Sequence, residues 1–153
     1  GHFHRILSDL NAPAEGETRR LVLCSGKLAY ELMEARDKAG DKGVEIARIE
    51  QLYPLPSEPL LKRLKAMPKL TDLIWAQEEP KNDGAWFFVE DLLETCLADA
   101  GFEGMRAQYA GRDAGGNLHL GLGLDLPGRT HDLDQIPAAD GLDADAGRLL
   151  LGR

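Results

Sequence analysis

Cysteine is scarce: the 153 residues hold two, Cys24 and Cys96, too few for a disulfide framework or a zinc site built from thiolates alone. Each lies in an apolar stretch, where a lone cysteine is a small buried hydrophobe. Long hydrophobic runs are missing too. No stretch approaches the roughly 20 apolar residues of a membrane-spanning helix, and nothing reads as a charged-then-apolar leader. Basic residues are in deficit, with 18 Lys and Arg against 26 Asp and Glu, for a formal net charge of −8. That balance excludes a phosphate-tracking nucleic-acid binder and a peripheral membrane anchor, both of which need a basic footprint. A cytoplasmic or mitochondrial-matrix setting is expected. The four histidines are scattered, His2 and His4 near the start and His119 and His131 near the end. There is no His-x-x-x-His pair, no nucleophile elbow and no cluster of metal ligands. On its residues alone the chain is an α/β module without its own catalytic apparatus.

What is present suffices for one globular core, with 43% hydrophobic and 29% charged residues. A chain that opens on Gly1 and runs at once into Phe3, Ile6 and Leu7 is expected to be cut from something longer. Residues 1–19 read as a linker, because Asn11 to Thr18 are turn formers without apolar period. Arg20-Leu-Val-Leu-Cys24 is a short buried strand ended by Ser25-Gly26. From Lys27 to Lys38, Leu28, Leu32 and Ala35 fall at helical spacing, with Gly40 as the stop. Val44 to Ile49 is a second strand. Ser57 is placed to cap a helix with Pro59 in its first turn and Leu60, Leu61, Leu64 and Met67 as its buried stripe. Leu73-Ile-Trp-Ala76 is a third strand. Ala85 to Ala100 is a longer helix burying Phe88, Val89, Leu92, Leu93, Cys96 and Leu97, and Met105 to Tyr109 is a fourth strand.

Strands alternating with helices in this way predict right-handed crossovers on a mostly parallel sheet, hence an α/β three-layer sandwich with a small sheet and helices on both faces. Residues 113–153 differ in kind. They lack Lys, Glu, Ser, Val, Cys, Met and every aromatic, and Gly, Leu, Asp, Ala and Arg dominate. A packed second core is not expected there, and the tail should be poorly ordered.

Ligands of an open α/β sheet bind beyond the carboxyl ends of its strands, and three clusters sit at those ends. Cys24-Ser25-Gly26-Lys27 offers a hydroxyl, an ammonium and helix-start amides to an anion, although it is no Walker loop. The competing explanation is a tight turn with a solvated lysine. Arg48 suits a phosphate or carboxylate, and equally an ion pair with Glu50 or Glu78. Glu78 and Glu79 invite an acid/base pair, but neighbours on an extended chain point opposite ways, so structural or interface use is favoured.

Four segments then carry a resemblance. Arg20-Leu-Val-Leu-Cys-Ser-Gly-Lys27, Ala47-Arg-Ile-Glu-Gln-Leu-Tyr-Pro54, Ile74-Trp-Ala-Gln-Glu-Glu-Pro-Lys-Asn82 and Gly84-Ala-Trp-Phe-Phe88, in that order and closed by Tyr109-Ala-Gly-Arg112, are similar to the C-terminal domain of 2-oxoglutarate dehydrogenases. The leader Gly1-His-Phe-His-Arg5 resembles the linker before that domain. The resemblance implies a transketolase C-terminal-like fold over residues 20–112, with one antiparallel edge. It implies a parent enzyme of the tricarboxylic acid cycle that decarboxylates 2-oxoglutarate and transfers the succinyl unit to lipoamide, with thiamine diphosphate and Mg held by preceding domains and no cofactor in this chain. Implied partners are those domains, a homodimer mate, the dihydrolipoamide succinyltransferase component and a nucleotide or acyl-CoA effector. Carried over, Ser25, Lys27 and Arg48 become anion-site candidates, and Gln77, Glu78, Asn82 and Trp86 become interface or loop-anchoring candidates. No residue is assigned a catalytic or metal-binding role. A free-standing module of the same fold that binds a small anion is the alternative. The departures are Asp83, where the family has an uncharged residue, and everything after Arg112. The restricted alphabet of the tail is what a GC-rich gene yields out of frame, so a native-like ending is expected in another frame beyond codon 112.

Overall fold

The computed structural model describes residues 4–112 and, as backbone, 118–119. Its elements in chain order are β1 (Ile6–Leu7), β2 (Arg20–Cys24), α1 (Leu28–Ala39), β3 (Val44–Ile49), α2 (Ser57–Lys65), β4 (Asp72–Pro80), α3 (Trp86–Asp99), β5 (Ala107–Arg112) and β6 (Leu118–His119). The six strands form one sheet in the order β1-β3-β2-β4-β5-β6. The four inner strands are parallel, with Cys24 opposite Arg48, Leu23 opposite Trp75, and Trp75 opposite Tyr109. Both edges are antiparallel two-residue strands: β1 against the end of β3, and β6 against the end of β5.

Alternation along the strands sorts the core into two layers, because successive side chains leave opposite faces. Leu21, Leu23, Ala47, Ile49, Leu73 and Trp75 face one side, where Leu60 and Leu64 of α2 and Val89, Leu93, Cys96 and Leu97 of α3 cover them. Val22, Cys24, Val44, Ile46, Ile74 and Ala76 face the other, beneath Leu28, Ala29, Leu32 and Ala35 of α1. Full burial of one such aliphatic side chain stabilises by about 1.5–3 kcal/mol. The three-layer α/β sandwich expected from the sequence is therefore the observed architecture, and both cysteines are buried.

Several local details differ from the expectation. Ile6–Leu7, inside the segment read as a linker, adds to the sheet, and a buried ion pair fastens the segment behind it. Asp9 accepts hydrogen bonds from Arg36 Nη2 (3.1 Å) and from the Ile46 amide (3.2 Å), and it contacts Arg36 Nη1 directly. Its carboxylate continues the β3 ladder where the backbone of β1 has turned away. Ser57 is not a cap. Pro56 occupies that position without a side-chain hydrogen bond, and Ser57 is the first helical residue. Phe88 and Leu92, expected in the buried stripe of α3, are exposed, while Trp86 takes a buried place at the helix start. The third strand runs on to Pro80, past a register shift between Ala76 and Pro80. The tail expected to be poorly ordered, 113–153, lies outside the described residues except for β6.

Candidate functional site

The amino ends of the parallel strands are closed by polar side chains that satisfy one another. Arg20 and Asp72 form a 2.8 Å ion pair, Gln108 donates to the same aspartate at 3.2 Å, and buried Glu45 accepts from Thr18 and Arg63. The carboxyl ends are arranged differently. There the candidate residues split between the two faces of the sheet.

On the α1 face, Gly26 turns the chain out of β2 with φ 64°, a left-handed conformation that glycine adopts without a Cβ clash. Lys27 occupies the cap position of α1, and no side chain caps the helix, so the first-turn amides have no side-chain acceptor. Ser25 is half-buried, and the Lys27 side chain is exposed with no ion-pair partner among the described residues. Arg48, one strand over, pairs through Nε with Glu50 and lays its guanidinium 5.0 Å from the centroid of the Tyr30 ring. Of the two ion-pair partners weighed for Arg48, Glu50 is in contact. Burial pushes the Cys24 thiol up to about 12, an effect partly offset by Arg48, so this thiol is neutral and unreactive at physiological pH. Tyr30 was missed by sequence reasoning. Its signal is a large aromatic in the first turn of a helix, off the buried stripe.

On the opposite face Gln77 is a junction. Its Oε1 accepts from Trp75 Nε1 (2.9 Å) and from the Trp86 amide (3.1 Å), and its Nε2 donates to the carbonyls of Glu79 (3.2 Å) and Pro80 (3.0 Å). One buried side-chain amide thus ties the end of β4 to the start of α3, and it leaves no room for a Cβ at Gly84. Lys81 hangs over this junction, with Nζ 5.3 Å from the Tyr109 ring centroid, 5.8 Å from Trp86 and 6.0 Å from Phe87. Glu78 is half-buried, and Glu79 and Asn82 are exposed. Among the described residues no three His, Cys, Asp or Glu side chains converge as a cation site needs. The Cys24–Lys27 turn, with one hydroxyl and one ammonium, does not fit a metal–diphosphate cofactor.

These observations define a class: a small α/β domain that carries its candidate polar and cationic groups at the carboxyl ends of its parallel strands, divided between the two faces of the sheet. The family model described as 2-oxoglutarate dehydrogenase C-terminal matches residues 1–123. The 2-oxoglutarate dehydrogenase E1 components of Brucella anthropi and Brucella ovis are each 40% identical over 129 residues, which covers 78% of this chain and 13% of those proteins. The chain belongs to the 2-oxoglutarate dehydrogenase C-terminal family. The match runs eleven residues past Arg112 and takes in β6. The chain spans about an eighth of the length of these relatives.

Proposed function

We propose that this chain works as the C-terminal assembly and regulatory domain of a 2-oxoglutarate dehydrogenase E1 component. The observation that carries the proposal is the family match over residues 1–123, in relatives of which the chain spans only 13%. On this reading residues 1–19 lead in from a preceding domain, 20–112 are the body of the folded unit, and 113–153 are the Gly/Leu/Asp/Ala-rich tail, whose first part carries β6 and still lies within the family match. Thiamine diphosphate and Mg belong to the preceding domains of the parent enzyme, where they supply the decarboxylation of 2-oxoglutarate and succinyl transfer to lipoamide. This chain contributes no step of that chemistry. It joins the preceding domains, a homodimer mate and, through the parent, the dihydrolipoamide succinyltransferase component, in bacterial cytoplasm or a mitochondrial matrix. Ser25, Lys27 and Arg48 form the seat of an anionic effector, a nucleotide or an acyl-CoA, which displaces Glu50 from Arg48. Gln77 and Trp86 anchor the loop that carries Glu78 and Asn82 to an interface. A free-standing module is not favoured, because the match runs through the leader as well as the folded unit.

The test is a chimera in which this chain replaces the matching C-terminal segment of the Brucella anthropi E1 component. The chimera should oxidise 2-oxoglutarate with a lipoyl acceptor, whereas E1 without the segment and this chain alone should not. An inactive chimera, or turnover by the chain alone, overturns the proposal.

A further inference from the structure

The aromatic side chains are distributed unevenly. Of two Trp, three Tyr and four Phe, both tryptophans are buried, while Tyr30, Tyr53, Phe87 and Phe88 are exposed. Among the described residues all four exposed rings follow the carboxyl ends of parallel strands: Tyr30 in the first turn of α1, Tyr53 beyond β3, and Phe87 and Phe88 in the first turn of α3. Tyr53 (82% exposed) and Phe88 (44%) touch each other at 5.8 Å between ring centroids, and Leu92 (39%) lies one turn along α3 from Phe88. Phe87 (61%) is exposed on the same turn of α3, beside Lys81. Exposed apolar residues that occur singly are unremarkable, but a contiguous aromatic patch marks a surface that is covered in the working molecule. Tyrosine and phenylalanine are the residue types that protein–protein contacts concentrate.

The charge around the patch narrows the occupant. Helix α3 carries Glu90, Asp91, Glu94 and Asp99 and no Lys or Arg, only Glu94 being paired among the described residues, with Arg106 at 2.7 Å, and the chain as a whole has a net charge of −8. Lys81, the nearby cation of the β4–α3 loop, is held over the rings of Trp86, Phe87 and Tyr109. Two copies meeting through this patch would bring two acidic helices together, a like-charge juxtaposition that interfaces avoid. A partner with an apolar hollow bordered by Lys and Arg fits instead. The relatives hold most of their length outside the matched region, and on the proposed role as C-terminal domain that length is where such a partner is sought.

We propose that the rim formed by Tyr53, Phe87, Phe88 and Leu92 is the seat of this domain on the preceding part of its own E1 polypeptide, through an apolar hollow edged with basic residues. This rests on the proposed role as the C-terminal domain, and it places the contact on the outward face of α3 and the β3–α2 loop. The test uses the active chimera and a form of it carrying Phe88→Asp and Leu92→Glu. Both positions are exposed, so the domain should keep its own fold, which the far-UV circular dichroism of the variant chain checks. The variant chimera should release the domain to trypsin about tenfold faster, as cleavage of a transiently opened state tracks its population. Tyr53→Ser, in the loop and outside every helix, should act in the same direction if the helical variant fails to fold. Equal trypsin resistance in variant and parent overturns the seat while leaving the proposed function standing. An inactive parent chimera defeats both. If the free chain sediments as a dimer that the double variant splits, the occupant is a second copy and the proposal fails.

Discussion

Trp75 is the largest fully buried side chain, and its indole N–H is spent on Gln77 at 2.9 Å. Trp75→Ala therefore creates a cavity and removes one of the two donors to Gln77 Oε1, and should cost about 3–5 kcal/mol in urea denaturation. A loss below about 1 kcal/mol, the range of surface changes, would mean that the side chain is not central. Cys24 makes a different prediction. Burial raises its thiol from an ordinary 9.0 to about 12. Between those values the unfolded chain gives up the proton and the folded chain keeps it. Stability that is fully present below pH 9 is therefore lost as pH rises toward 12, at up to about 1.4 kcal/mol per pH unit. Cys24→Ala should flatten the alkaline limb of the stability curve relative to the parent chain. Identical limbs would show that the thiol titrates alike in both states.

At the scale of elements the N-terminal segment is held by the β1 ladder and by one buried carboxylate, Asp9. Arg36 is buried, and besides Asp9 it donates to the Val44 carbonyl at 3.1 Å and to Asp37 at 2.8 Å. Asp9→Ala should cost about 3 kcal/mol, at the low end for breaking a buried pair because Asp37 remains. It should also speed hydrogen exchange at the Ile46 amide, and unchanged protection there would refute the tether. None of this was legible in the sequence. Ile6–Leu7 is too short to show an alternating period, and a buried Asp–Arg pair separated by 27 positions leaves no local trace. The inner strands were legible because they are apolar runs bounded by turn residues, and the layering followed from their alternation with helices. Phe88 and Leu92 fit the helical period yet lie outside the core, since a period reports spacing and not the width of the layer beneath. The strand-end clusters were found by topology. Their partners were not, because Tyr30 meets Arg48 only once α1 lies on the sheet and β3 lies in it, and Gln77 meets Trp86 only through the bend of the β4–α3 loop.

For the whole molecule, the proposed anion seat at the carboxyl ends predicts that calorimetric titration with AMP or acetyl-CoA releases heat, and that Arg48→Ala weakens binding at least about tenfold, the loss of about 1.4 kcal/mol. Absence of heat with both ligands would count against the seat. The two-residue edge strands have a consequence for the life of the chain in concentrated solution. A sheet edge offers unpaired amides and carbonyls to any extended segment that drifts past, and short or covered edges are how folded proteins refuse that offer. Behind Ile6–Leu7 lies Val44-Glu-Ile-Ala-Arg-Ile49, rich in β-branched apolar residues. The buried carboxylate that pins the leader thus also keeps a template for fibrous strand addition out of reach of neighbouring molecules.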